Sequence, residues 1–173
     1  MSTGNVILHI LNDLDYGGVE SMAIGIIQGL SGSGRQTVIC LGSSNNPRIE
    51  EFRTAGARVI LIPRGTKKQT LSFCRKLFRV LQEEKPTAIL SYCFGNHLWI
   101  GVCATLAGIR NHWVRVESDP SPNWITAAKV TVLANLARSV CRGEIAVSVS
   151  VATRLQRLMP LAGTRINVIE NGI

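Results

Sequence analysis

The chain predicts an α/β fold, a doubly wound, Rossmann-like parallel sheet of about seven strands with helices on both faces. Three observations carry that expectation. Strand-like and helix-like patterns alternate along the 173 residues, and parallel strands need such crossovers. The strand segments are apolar on both sides instead of strictly alternating, as a sheet covered on two faces requires. The first unit is an apolar run that breaks at Gly17-Gly18 and restarts as a helix.

Val6 to Leu11 is the first strand, and Val19 to Leu30 carries Met22, Ala23, Ile26, Ile27 and Leu30 at helical spacing. Ser31-Gly32-Ser33-Gly34 ends that helix, and Gln36 to Leu41 reads as the second strand. Asn46-Pro47 opens a short helix over Arg48 to Ala55, stopped by Gly56; Ala57 to Ile62 is the third strand. Gln69 to Glu84 is the clearest amphipathic helix, with Leu71, Cys74, Leu77, Phe78 and Leu81 assigned to one face. Ala88 to Cys93 is the fourth strand, His97 to Leu106 a helix, and His112 to Glu117 the fifth strand. Pro122 begins a helix reaching to about Ser139, with proline in its favoured first-turn position. Glu144 to Ser150 is the sixth strand, Val151 to Met159 a helix, and Arg165 to Ile169 the seventh strand.

Bulk properties narrow the class. The 173 residues suit one domain spanning 1–173, and 46% hydrophobic content supports a substantial core. No segment reads as a signal peptide or membrane span, which predicts a cytoplasmic protein. The five cysteines are odd in number, widely spaced and set among apolar residues, so they read as buried thiols with no metal site. A net charge of +8 favours polyanionic neighbours: nucleic acid, anionic lipid or phosphorylated substrates.

With strand order 3-2-1-4-5-6, ligands bind where the order reverses, at the carboxyl ends of the strands. Three loops would converge there, carrying Gly17 and Gly18, then Phe94-Gly95-Asn96-His97, then Ser118-Asp119-Pro120. Bare glycine backbone at a positive helix amino terminus suits phosphate. Glu20 in the first turn complements the helix dipole. His97 is the one histidine in a strand-end loop; His9 and His112 suit core roles. Asp119 reads both as a functional carboxylate and as an ordinary Asp-Pro turn. A dinucleotide oxidoreductase is disfavoured, since G-x-G-x-x-G is missing and Leu41-Gly42-Ser43-Ser44 offers no acid after strand two.

Taken together, the chain resembles the N-terminal domain of a GT-B glycosyltransferase of family 4. The carriers are the strand-loop-GGVE opening, Ser91-Tyr92-Cys93-Phe94-Gly95-Asn96-His97, the Ala146-Val147-Ser148 strand and the closing Val168-Ile169-Glu170-Asn171-Gly172-Ile173. That last segment is similar to the family's V-I-P-N-G-I-D handover between domains, with Glu170 in place of the proline. The resemblance implies that Gly17 and Gly18 let backbone approach the donor diphosphate. It implies that His97 lies on the acceptor side near the transferred sugar as the catalytic candidate, with Glu20, Asn96, Ser118 and Asp119 supporting and Asn171 and Gly172 interdomain. It further implies a nucleotide-sugar donor, a glycan or lipid-linked acceptor, retained anomeric configuration and no metal or other cofactor. The donor-binding C-terminal domain, with its E-x7-E motif, is expected in cis or on a partner chain, so the chain alone should be inactive.

Lys67, Lys68, Arg75, Lys76 and Arg79 lie on or beside one helix. Their cluster predicts peripheral docking at the inner face of an anionic membrane, at ~1 kcal/mol per basic residue near the surface. Two other readings stay open: a non-catalytic sugar-binding or assembly subunit, and a basic nucleic-acid-binding α/β module. The second is disfavoured by 5% aromatic content and the lack of an RNA-recognition signature.

Overall fold

The computed structural model describes residues 4–42, 46–117, 132, 135–136, 139–158 and 165–170. Seven strands form one parallel sheet in the order β3-β2-β1-β4-β5-β6-β7. They are β1 (Val6–Leu11), β2 (Arg35–Cys40), β3 (Ala57–Leu61), β4 (Ala88–Ser91), β5 (His112–Val116), β6 (Gly143–Ala146) and β7 (Ile166–Val168). The described helices are α1 (Gly18–Gly29), α2 (Ile49–Thr54), α3 (Thr70–Glu84), α4 (His97–Leu106) and α5 (Val149–Leu158). The doubly wound expectation therefore holds, including the reversal of order between β1 and β4. The chain groups into two compact units, Met1–Leu90 and Ser91–Ile173.

In the first unit, β1 pairs in parallel with β2 from Val6↔Arg35 to Leu11↔Cys40, and β2 with β3 from Gln36↔Ala57 to Cys40↔Leu61. Leu8, Ile10 and Leu11 of β1 and Val38, Ile39 and Cys40 of β2 are buried, so the central strands have no wet face. His9 is also fully buried; its Nε2 meets Gln36 Oε1 at 3.0 Å, and burial lowers its pKa.

The inward face of α3 holds Leu77 and Leu81 as expected but is rotated toward Phe73 and away from Leu71. Phe73, Leu77, Leu81 and Glu84 are buried, while Leu71 is 82% exposed. Leu77 and Leu81 are common to the expected and observed faces, and the rotation that buries Phe73 in place of Leu71 also brings Glu84 to its partners. The buried carboxylate lies 3.0 Å from Arg35 and 2.7 Å from Arg58 and accepts from Thr37 Oγ at 3.2 Å. Phe73 is in turn covered by the Arg64 guanidinium, 4.9 Å from the ring centre. Leu71 consequently shares the solvent face with Lys68, Arg75 and Arg79.

In the second unit, β5 pairs with β6 and β6 with β7, both in parallel. Val114, Val116, Cys141, Ala146, Ala152 and Leu155 form its core. A Cβ on Gly101 of α4 would stand 3.1 Å from the Val140 carbonyl oxygen, so glycine permits this close approach. The sixth strand is shorter than expected. It stops at Ala146, and α5 begins at Val149, because Ser148 Oγ accepts the Val151 N–H at 3.2 Å and caps the helix. The helix expected from Pro122 to about Ser139 falls almost wholly outside the described residues.

Candidate functional site

The segment from Asn12 to Gly17 leaves the carboxyl end of β1 and becomes α1 at Gly18. Gly17 is the N-cap in extended conformation, with no side chain to satisfy the first-turn amides. Its carbonyl accepts from Ser21 N at 3.1 Å and from Ser21 Oγ at 2.9 Å. A trans peptide holds its C=O and N–H antiparallel. The Gly18 N–H therefore points away from the helix, out of its positive end. Gly18 is exposed, and a Cβ built on it would meet no atom of the chain within 4 Å. A Cβ on Gly17 would instead meet Glu20 Oε2. The Glu20 carboxylate thus folds back over the amino terminus of α1, where its charge complements the dipole.

The segment after β2 stitches this loop in place. Leu14 N donates to Asn46 Oδ1 at 3.0 Å, and Arg48 N donates to the Leu14 carbonyl at 3.2 Å. Arg48 itself is only 8% exposed. Its NH1 donates to Ser21 Oγ at 2.9 Å and to the Gly17 carbonyl at 3.5 Å. These links span about thirty residues, and the local sequence of Asn46-Pro47-Arg48 carries no sign of them beyond a turn.

In the second unit, the Asn96 N–H donates to the Cys93 carbonyl at 2.9 Å and closes a short 3-10 turn over Phe94–Asn96. His97 follows as the first residue of α4 and is 4% exposed; Asn96 is half-buried. Beside it lies a second, fully buried histidine. His112 Nε2 is 2.9 Å from Ser91 Oγ and its Nδ1 is 3.4 Å from Cys141 Sγ. Burial pulls the His112 pKa down to about 4, with the His97 charge as a further cause. Burial likewise pushes the Cys141 thiol up to about 12, which keeps it a neutral packing group. The core roles expected for His9 and His112 are observed, and Cys40, Cys93, Cys103 and Cys141 are buried and in no disulfide, as is the half-buried Cys74.

Gly17, Gly18 and Glu20 are thus brought together on one loop, and Asn96 and His97 on another. Ser118, Asp119, Asn171 and Gly172 lie outside the described residues. Lys68, Arg75, Lys76 and Arg79 are exposed as expected; the Lys67 side chain lies outside the described atoms. Among the described residues, no group of three His, Cys, Asp or Glu side chains could hold a metal ion.

Residues 16–173 match the sequence profile of Glycosyltransferase Family 4. No curated protein matches the chain significantly in sequence. Among solved structures, it is similar to a glycosyltransferase from Rickettsia africae ESF-5, with TM-score 0.75, 17% identity and coverage of 99% of this chain and 44% of that one. It is similar to Anabaena Alr3699/HepE in complex with UDP, with TM-score 0.72, 16% identity and coverage of 98% and 44%. MurG of Acinetobacter baumannii follows at TM-score 0.65 and 13% identity, with coverage of 98% and 46%. The chain spans less than half the length of each, and at such identities these likenesses show the fold alone.

Proposed function

The chain belongs to glycosyltransferase family 4, and from that premise we propose that it is the acceptor-side half of a retaining GT-B enzyme. The enzyme moves a sugar from a nucleotide-sugar donor to a glycan or lipid-linked acceptor. The observation that carries this reading is the Gly17-Gly18 turn, whose exposed Gly18 N–H points out of the amino terminus of α1. A diphosphate leaving group gathers negative charge as the glycosidic bond breaks. Fixed amide dipoles stabilise that charge without having to reorient. The binding of UDP by the similar Alr3699/HepE supports a nucleotide-sugar donor here.

Within this reading His97 faces the transferred sugar on the acceptor side, and Glu20 and Asn96 support the two loops. Catalysis needs a donor-binding domain, in cis or on a partner chain, and neither metal nor other cofactor. The 173-residue chain by itself turns over no nucleotide sugar; donor hydrolysis at a rate well above background would refute that. In the assembled enzyme, His97→Ala lowers kcat by about 10²-fold or more if the ring acts on the reacting centre, whereas a change confined to KM would remove that role.

Gly18→Ala tests the central claim. Because an added Cβ meets nothing of the chain, the variant folds at least as stably as the parent, alanine being the better helix residue by about 0.5–1 kcal/mol. UDP binding, followed by the Gly18 amide signal in a 15N-labelled sample, weakens because the methyl stands where the diphosphate approaches. Equal UDP affinity in both proteins would place the diphosphate elsewhere.

We also propose peripheral docking on an anionic membrane through the solvent face of α3. Exposed Lys68, Arg75 and Arg79 supply the charge, and exposed Leu71 supplies an apolar side chain among them. No helix among the described residues is long and apolar enough to cross a membrane.

A further inference from the structure

Arg48 follows an Asn-Pro turn, where an arginine is ordinarily a solvated side chain. It is instead 8% exposed, and its guanidinium is used along three edges. Nε and NH2 both donate to Glu51 Oε2, at 3.0 and 2.8 Å, which holds the plane from its own helix α2. NH1 crosses to α1 and donates to Ser21 Oγ at 2.9 Å and to the Gly17 carbonyl at 3.5 Å. One face lies 5.7 Å from the centre of the Tyr16 ring. An i,i+3 helix pair with Glu51 alone would leave NH1 in water; here it reaches another element.

We propose that Arg48 is the positioning residue of the Gly17-Gly18 loop. Acting chiefly through Ser21 Oγ, to which it donates at 2.9 Å and which itself donates to the Gly17 carbonyl at 2.9 Å, it steadies the peptide plane whose N–H meets the donor diphosphate. The physical link is short. The Gly17 carbonyl and the Gly18 N–H belong to one planar trans peptide, so a donor bound to the oxygen determines where the hydrogen points. Two glycines in succession have a broad range of backbone conformations, and their freedom must be removed before they can serve as fixed dipoles. Glu51 already compensates the Arg48 charge, so geometry rather than field is what Arg48 adds. Lysine cannot replace it, because a point charge cannot hold Glu51, Ser21 and Gly17 at once while stacking on Tyr16.

This inference rests on the reading of the loop as the diphosphate site, and its test separates the two. In a 15N-labelled sample of the chain, inorganic pyrophosphate is titrated against the parent, Arg48→Met, Arg48→Lys and Ser21→Ala, and amide exchange is measured without ligand. The expected result is faster exchange of the Ser21 amide, which donates to the Gly17 carbonyl, in both Arg48 variants, with β1 and β2 amides unchanged. Pyrophosphate affinity falls about tenfold in both, the size of one lost hydrogen bond to a charged group. Lysine fails to rescue it. Ser21→Ala, which keeps Arg48 and Glu51, serves if the Arg48 variants misfold, and it shows the same effects to a lesser degree. Parent-like exchange and affinity in Arg48→Met, or in Ser21→Ala should that be the variant measured, overturn the positioning role. A parent loop that ignores pyrophosphate refutes the diphosphate reading, and the exchange rates then decide alone whether Arg48 orders the loop.

Discussion

Lowering the pH from 7 to 4.5 should destabilise this fold through His112. The ring is fully buried against Ser91 and Cys141, and its pKa falls from 6.5 to about 4. In the unfolded chain the same ring regains the ordinary histidine value. Between those two values the unfolded state binds a proton that the folded state refuses, so stability rises with pH across the window. It is complete above about 6.5 and is lost progressively as the pH falls toward 4. At ~1.4 kcal/mol for each pH unit between the two values, the full contribution is about 3 kcal/mol, most of it gone by pH 4.5. His9, whose pKa is also lowered by burial, acts in the same direction. The assay is urea unfolding followed by circular dichroism from pH 7 to 4.5, on the parent and on His112→Gln. The variant starts less stable but loses less on acidification, by about 2–3 kcal/mol. Parallel stability curves for the two proteins would refute the reasoning, as would an imidazole signal of His112 titrating above pH 6. A charge on His112 would also repel one on His97.

Two more outcomes follow from the first unit. Glu84 is buried while its partners Arg35 and Arg58 have half-exposed side chains, so the pair is asymmetric. Replacing both arginines by methionine strands the carboxylate and costs about 3 kcal/mol or more, whereas Glu84→Gln frees two solvated cations and costs less; urea unfolding giving the reverse order would contradict this. For α3, sedimentation with anionic vesicles exceeds that with neutral ones, and Leu71→Glu lowers it about tenfold or more while thermal stability stays unchanged. Equal sedimentation with both vesicle types would remove the docking proposal.

Most elements were legible because their signals are local. Short apolar runs and period-3.6 patterns, with Gly and Pro punctuation, locate β1 to β5 and α1 to α4 within a residue or two wherever the structure describes them. The misreadings share one cause. Val147 to Ser150 alternates valine with serine and reads as strand, but the Ser148 cap decides for helix from Val149. In α3 the spacing correctly turns Leu77 and Leu81 inward, and the arginines of β2 and β3 that meet Glu84 favour the rotation that buries Phe73 and exposes Leu71.

The candidate site divides in the same way. Gly17, Gly18 and His97 stand out in sequence because glycine pairs and strand-end histidines are rare and their chemistry is distinctive. Arg48 is invisible there, since its value comes from a contact with Ser21 twenty-seven positions earlier. By itself, then, the sequence determined the fold class, the family and the exposed backbone of the first loop, all of which depend on neighbours in the chain. Only the tertiary structure decided which helix face is buried, which histidine stays uncharged and which distant arginine holds the glycine loop, because burial and long-range hydrogen bonds exist only once the chain has folded.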